Sequence, residues 1–301
     1  MSEFIQQTIN GLAWGSIYAL IALGYTMVYG VLRLINFAHG DVYMIGAMVG
    51  YYAGQILIQK MQGGALGLTL VLIIAMVVCA LLGFVIERIA YKPLRHAPRI
   101  NALITAIGVS IFLEYGGQLL FGADPKFFPS LIQDRVVVRF GQGIVINQIQ
   151  CLIFTIAIVL MVSLRFIVMK TKLGKAMRAV SFSHTASQLV GIPLDHIISF
   201  TFMLGSALAG AAGVLVGLSN PKVEPLMGIM PGLKAFVAAV LGGIGNIPGA
   251  LVGGLLMGLS ETYVVGYFSS TYRDALAFVL LIFILLVKPS GLFGKSFAEK
   301  V

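Results

Sequence analysis

Apolar runs long enough to cross a bilayer follow one another almost without a gap along this chain, near 11–32, 37–59, 64–87, 100–121, 149–168, 194–218, 232–264 and 274–288. About 20 apolar residues span the hydrocarbon core as a helix, and inside lipid every backbone N–H and C=O must be satisfied within the protein. The sequence therefore predicts an all-α polytopic membrane protein with about eight apolar segments, some of them broken or re-entrant helices. Connections are short, so residues 1–301 are expected to form a single transmembrane domain. Only 10% of residues are charged, far below the share in soluble domains. The stretch before Gly11 has no basic region, and 11–32 is too long for a signal-peptide core, so this segment is expected to stay in the membrane.

The net charge of +9 would suggest nucleic acid in a soluble chain. Here the cations sit in short loops, where they set topology, and no nucleic-acid partner is expected. Three clusters are predicted to be cytoplasmic: Arg88, Lys92, Arg95 and Arg99; then Lys170, Lys172, Lys175 and Arg178; then Lys288, Lys295 and Lys300. The third joins the others only if 232–264 makes no net crossing, which favours a broken hairpin there over one long helix. The side of the N-terminus stays open, because Arg33 and Lys60 are isolated charges and 37–59 is itself a candidate re-entrant segment. An external loop is expected at about 122–148, with a small β-hairpin formed from Arg135–Phe140 and Gly143–Ile146.

The second basic cluster opens a polar island at about 170–193 with a helical pattern of its own. Ala179, Phe182, Ala186, Leu189 and Val190 fall on one face after Arg178, and the stop signal is Gly191 followed by Pro193. One helix over Ala179–Val190 is expected, and a structured helix in so short a loop implies a docking partner.

Two interruptions are candidate elements of a transport pathway. The first is Arg33–Asp41, which contains Asn36, His39, Gly40 and Asp41. The second is Gly242–Gly249, which contains Gly243, Gly245 and Asn246. Unwound backbone at membrane depth is tolerated only where protein packs around it or it lines a wet cavity. Each break sets an Asn three or four residues ahead of a Gly that opens a new apolar run, a hint of an internal repeat. His39 and Asp41 have two readings. They take part in substrate passage or a proton relay, or Asp41 caps the helix that begins there. Glu114 and Glu261 are expected to hydrogen-bond between helices, Lys234 to snorkel to the interface, and Glu87 and Arg88 to sit at the interface. Cys79 and Cys151 are read as small buried hydrophobes.

No catalytic constellation or metal-ligand spacing stands out, so neither an enzyme nor a cofactor is expected. Gly291–Ser296 mimics a phosphate loop, but its required first glycine falls on Pro289. Gly243-Ile-Gly245 with Gly249 lacks the preceding strand of a dinucleotide site.

The runs Asn36–Gly46, Gly205–Gly213 and Lys234–Ala250 resemble the permease subunits of bacterial ABC importers for branched-chain amino acids. The opening Gly11–Tyr25 is more similar to the LivH type than to the LivM type. Thr185-Ala186-Ser187, three residues and Gly191 reproduce the spacing of the Glu-Ala-Ala, three residues, Gly coupling loop of ABC permeases, with Thr185 in place of Glu and no downstream Ile-x-Leu-Pro element at its usual distance. The resemblance implies a multi-pass bacterial inner-membrane permease in the ABC importer fold. It also implies a second, homologous LivM-type permease, two cytoplasmic ATP-binding cassette subunits and a periplasmic amino-acid-binding protein. Transport would be by alternating access, with Arg178, Ala179, Phe182, Thr185, Ala186, Ser187, Leu189 and Gly191 as the ATPase-coupling candidates. The alternatives are an ion-coupled secondary transporter, with His39, Asp41, Glu114 or Glu261 as coupling site, a channel, or an ABC permease for urea or short amides.

Overall fold

The computed structural model describes residues 2–61, 64–95, 97–140 and 143–294. Lys295 and Lys300 of the third basic cluster, and the end of the Gly291–Ser296 run, lie outside the described residues.

Eleven helices, α1 Ser2–Leu32, α2 His39–Met61, α3 Ala65–Ile86, α4 Arg99–Phe121, α5 Gln148–Lys170, α6 Lys172–Phe182, α7 His184–Leu189, α8 Leu194–Ser219, α9 Ile229–Gly242, α10 Ile247–Tyr267 and α11 Ala275–Val287, hold most of the described residues. Six of them are long and apolar enough to cross a membrane by themselves: α1, α3, α4, α5, α8 and α10. The predicted segment 232–264 divides into α9 and α10, which lie side by side as the expected broken hairpin. Four short strands complete the fold. β1 Lys126–Phe127 pairs antiparallel with β4 Lys222–Val223, and β2 Val136–Phe140 with β3 Ile144–Asn147. The second pair is the predicted hairpin, with a bulge between Val136 and Val138.

The core is α1, buried along most of its length and flanked by α8, α9 and α10. Lipid supplies no hydrophobic drive for helix association, so close backbone approach through small residues does that work. Gly15 shows it: a Cβ there would come within 2.8 Å of Leu255 Cα on α10.

Contacts at the helix ends fix which ends lie together. At one face, the Val145 N–H donates to the Gln6 side chain at 2.8 Å, Thr8 meets the Tyr263 hydroxyl at 2.8 Å, and the Gly64 N–H donates to the Leu131 carbonyl at 2.9 Å. At the other, His184 meets the Val31 carbonyl at 2.8 Å, Arg95 pairs with Asp195, and the Leu292 N–H donates to the Leu241 carbonyl at 2.9 Å. The second face carries Lys92, Lys172 and Lys288, the basic residues expected on the cytoplasmic side. Followed through these contacts, α9 runs inward and α10 outward, so 232–264 makes no net crossing. The N-terminus shares the outer face with the 122–148 loop.

Two expectations about polar residues are corrected here. Glu87 does not sit at the interface: α3 passes into a π-helical turn, Glu87–Tyr91, which turns Glu87 and Tyr91 into the protein together. Glu87 there pairs with Arg95 and accepts the Ser199 hydroxyl at 2.5 Å. Lys234 does not snorkel but is buried, ion-paired to Glu261 at 3.2 Å and to Asp274 at 2.7 Å. Glu261 does bridge helices, accepting also from the Tyr18 hydroxyl at 2.8 Å and from Arg273. Of the two cysteines, Cys79 is fully buried and Cys151 half-buried.

Candidate functional site

The first break is a true re-entry. After α1 the chain turns at Arg33, whose φ of 54° is left-handed, and runs without regular structure to His39. There α2 starts beside Tyr25, about two turns back from the end of α1, with the His39 and Tyr25 rings 4.8 Å apart. α2 thus begins inside the membrane rather than at its surface. α9 begins against it: a Cβ on Gly40 would lie 2.6 Å from the Gly228 carbonyl and 2.9 Å from Gly232 Cα. Two helix N-termini, each the positive end of a helix dipole, therefore meet at one place.

Next to that junction lies a cavity of about 230 Å³, lined among others by Tyr25, Phe37, Gly40, Asp41, Ser110, Glu114 and Phe236. Asp41 is turned toward α4: its carboxylate, 2% exposed, accepts the Ser110 hydroxyl at 2.5 Å. Glu114, expected to bridge helices, instead lies one turn along α4 from Ser110, 3.5 Å from the same hydroxyl, and lines the cavity. The α4 wall carries Ile107 and Ile111, both about half exposed, so the cavity sits at the outer surface of the chain.

Asn36 and His39 stand behind this lining. The Tyr91 hydroxyl donates to the Asn36 side chain at 2.9 Å, which fixes the unwound segment to the π-helical turn. His39 is 1% exposed and its Nε2 has no partner among the described residues.

The second break lies elsewhere, at the turn between α9 and α10, on the face that carries Lys288. Gly243 and Gly245 have φ of 103° and 90°, values that only glycine adopts at little cost. Asn246 caps α10 by accepting the Gly249 N–H at 3.1 Å, and its amide donates to the Phe293 carbonyl at 2.9 Å. Gly242, Gly243 and Gly249 are buried against backbone, and Gly245 reaches the surface beside Gly30. The two breaks are therefore at different depths. Their asparagines also differ in role, one bound to a tyrosine and one capping a helix, so the hinted repeat does not extend to local structure.

The polar island is not the single helix expected over Ala179–Val190. It is two helices, α6 and α7, parted at Ser183, whose hydroxyl accepts the Ala186 N–H at 3.2 Å and caps the second. The stop signal holds. Gly191 is left-handed at φ 78°, its N–H donates to Gln188 and that of Ile192 to Ser187, which is the Schellman pattern. Phe182, Leu189 and Val190 are 86%, 84% and 75% exposed, and Arg178, Thr185 and Ala186 are also exposed. Ala179 is half-buried, and Ser187 is buried and turned away from that surface.

Ser110, Tyr25, Gly228 and Gly232 were not among the residues singled out from sequence. The signals were a polar pair one turn apart, Ser110 and Glu114, in an apolar run, and two glycines four apart at the start of α9.

Residues 7–285 match the family model described as the branched-chain amino acid transport system / permease component. The chain is 43% identical to the high-affinity branched-chain amino acid transport system permease protein BraD of Pseudomonas aeruginosa, over 99% of this chain and 98% of that one. It is 42% identical to LivH of Escherichia coli K12 over the same shares. A more distant relative, the ribose import permease RbsC of Haemophilus influenzae, is 25% identical over 97% of this chain and 87% of its own. No solved structure matches the chain.

Proposed function

The chain belongs to the branched-chain amino acid transport system permease family, and on that premise we propose a route and a drive for its cargo. It is a multi-pass inner-membrane permease subunit of an importer for branched-chain amino acids, working with ATPase and binding-protein subunits. In our reading it has no ATPase site of its own. Two ATP-binding cassette subunits dock on the cytoplasmic face, and a second, homologous LivM-type permease covers the exposed side of α4.

The observation that carries the route is the meeting of two half-way helices at Gly40 and Gly228 beside a cavity lined by the buried Asp41 and the half-buried Glu114. A zwitterion with an aliphatic side chain needs three things from such a place. The N-termini of α2 and α9 attract its carboxylate. Asp41 and Glu114 attract its ammonium, with Ser110 between them. Phe37 and Phe236 supply the apolar wall. Asn36 and His39 hold the re-entrant segment in shape. Gly245 and Asn246, at the cytoplasmic turn, lie at the inner mouth of the same route, and Gly242, Gly243 and Gly249 pack that turn.

The drive reaches the permease through α6 and α7. Phe182, Leu189 and Val190 form an apolar surface at the cytoplasmic end, rimmed by Arg178, Thr185 and Ala186, and an exposed patch of this kind marks a docking site. α6 follows α5 directly through Thr171, which caps it, so movement of the docked surface is passed to a spanning helix.

The test is uptake of labelled leucine into proteoliposomes holding both permeases, with and without the ATPase subunits. Uptake that needs the ATPases, ATP inside and loaded binding protein outside is the expected result. Leucine uptake driven by an ion gradient with the permeases alone would favour a secondary transporter and overturn the reading.

A further inference from the structure

A second cavity, of about 360 Å³, opens at the outer face between the N-terminal part of α1, the start of α5 and the end of α10. Its lining combines three kinds of group. Carboxylates come from Glu261 and Asp134, a guanidinium from Arg273, and apolar surface from Trp14, Ile17 and Ile153. Arg273 lies over the Trp14 ring, 5.4 Å from its centroid, and its Nε donates to Glu261. Its other N–H groups have no partner among the described residues, and its side chain is 43% exposed. An inorganic ion would need one sign of charge and no apolar wall. Both signs set around apolar side chains match a zwitterion with an aliphatic tail.

We propose that this outer cavity is an entry site where the amino acid binds before it reaches the inner cavity, its carboxylate on Arg273, its ammonium on Asp134 and Glu261, and its side chain against Trp14, Ile17 and Ile153. The proposal rests on the transport reading above and adds a site to it. It also joins the two cavities. Glu261 holds Lys234 on α9, and the other face of α9, through Gly232 and Phe236, walls the inner cavity. A cargo ammonium at Glu261 competes with Lys234 and so loosens the half-way helix that stands between the two cavities.

Trp14 is the only tryptophan in the chain, so its fluorescence reports this cavity alone. The full-length permease in lipid nanodiscs is titrated with leucine, with leucine amide, which lacks the carboxylate, and with 4-methylpentanoate, which lacks the ammonium. A saturable change with leucine is expected, with the midpoint raised on the order of ten-fold for each analogue and for Arg273→Gln. Arg273→Lys, which keeps the charge, is expected to fall between. No saturable response to leucine in folded, monodisperse protein overturns the site, as does an equal response to all three compounds. ATP-driven leucine uptake by the assembled importer is measured alongside. Uptake with a silent Trp14 removes the entry site and leaves the transport reading standing, whereas absent uptake removes that reading itself.

Discussion

At the residue scale the inner cavity centres on Asp41, a carboxylate with almost no solvent contact that shares Ser110 with Glu114. A hydrogen bond to a charged group is worth about 1.5–3 kcal/mol, or on the order of ten-fold or more in binding. Asp41→Asn keeps the shape and removes the charge, so it is expected to lower leucine uptake at least about ten-fold while the ATPases still co-purify. Ser110→Ala removes a neutral donor and is expected to cost only a few-fold, roughly the worth of an ordinary hydrogen bond. Initial uptake rates across leucine concentrations check both, and wild-type rates in both variants would place the route elsewhere. The sequence brought Asp41 forward because an ionisable group near a helix break is conspicuous. It hid Ser110, because a serine in an apolar helix ordinarily satisfies itself on the preceding turn, as Thr201 does on Ile197 at 2.7 Å.

At the element scale the fold depends on where helices begin. Gly40 lets α2 start in contact with α9, and a methyl group there would enter the space of the Gly228 carbonyl. Gly40→Ala is therefore expected to cost about 1–3 kcal/mol as overpacking and to part the two helix starts. A lower unfolding temperature with loss of uptake would bear this out, and unchanged values for both would show that the junction has slack. Ser183 matters differently, because it separates α6 from α7. Ser183→Ala removes one cap, worth about 1 kcal/mol. In a helix of six residues that is enough to fray the docking surface. Thermal unfolding of the membrane part should hardly move, while ATPase stimulation by loaded binding protein should fall. Equal stimulation in wild type and variant would take α7 out of the coupling step. Periodicity could not reveal this division, since Ala179, Phe182, Ala186 and Leu189 keep helical spacing across the break and the cap is a single hydroxyl.

At the scale of the whole molecule, the gathering of the basic helix ends on one face was legible in the sequence, and the depth at which each helix starts was not. Basic residues at helix ends declare the cytoplasmic face whatever the tertiary structure. Hydropathy measures the length of a segment, so it found α2 and the α9–α10 region without showing that α2 and α9 start part-way through the membrane. Lys234 was misplaced for a related reason: its partners Glu261 and Asp274 lie on later elements, and a lysine without visible partners reads as a snorkelling one. The N-terminus was undecidable from charge because the first re-entrant segment upsets the count of crossings. Contact now gives its face: Gln6 and Thr8 are bound at the same face as β3 and Tyr263. That placement is tested with single cysteines in a background carrying Cys79→Ala and Cys151→Ala. Glu3→Cys and Asp124→Cys, both exposed and both on the outer face, are expected to react with an impermeant thiol reagent added outside intact cells whose outer membrane has been made permeable. Lys172→Cys, exposed at the start of α6, is expected to react only after the inner membrane is opened. Labelling of Lys172→Cys from outside would invert the molecule and remove the docking face from the ATPases. Protection of Glu3→Cys alone would break the link between the N-terminus and the 122–148 loop, and with it the outer cavity that Trp14 and Ile17 help to wall.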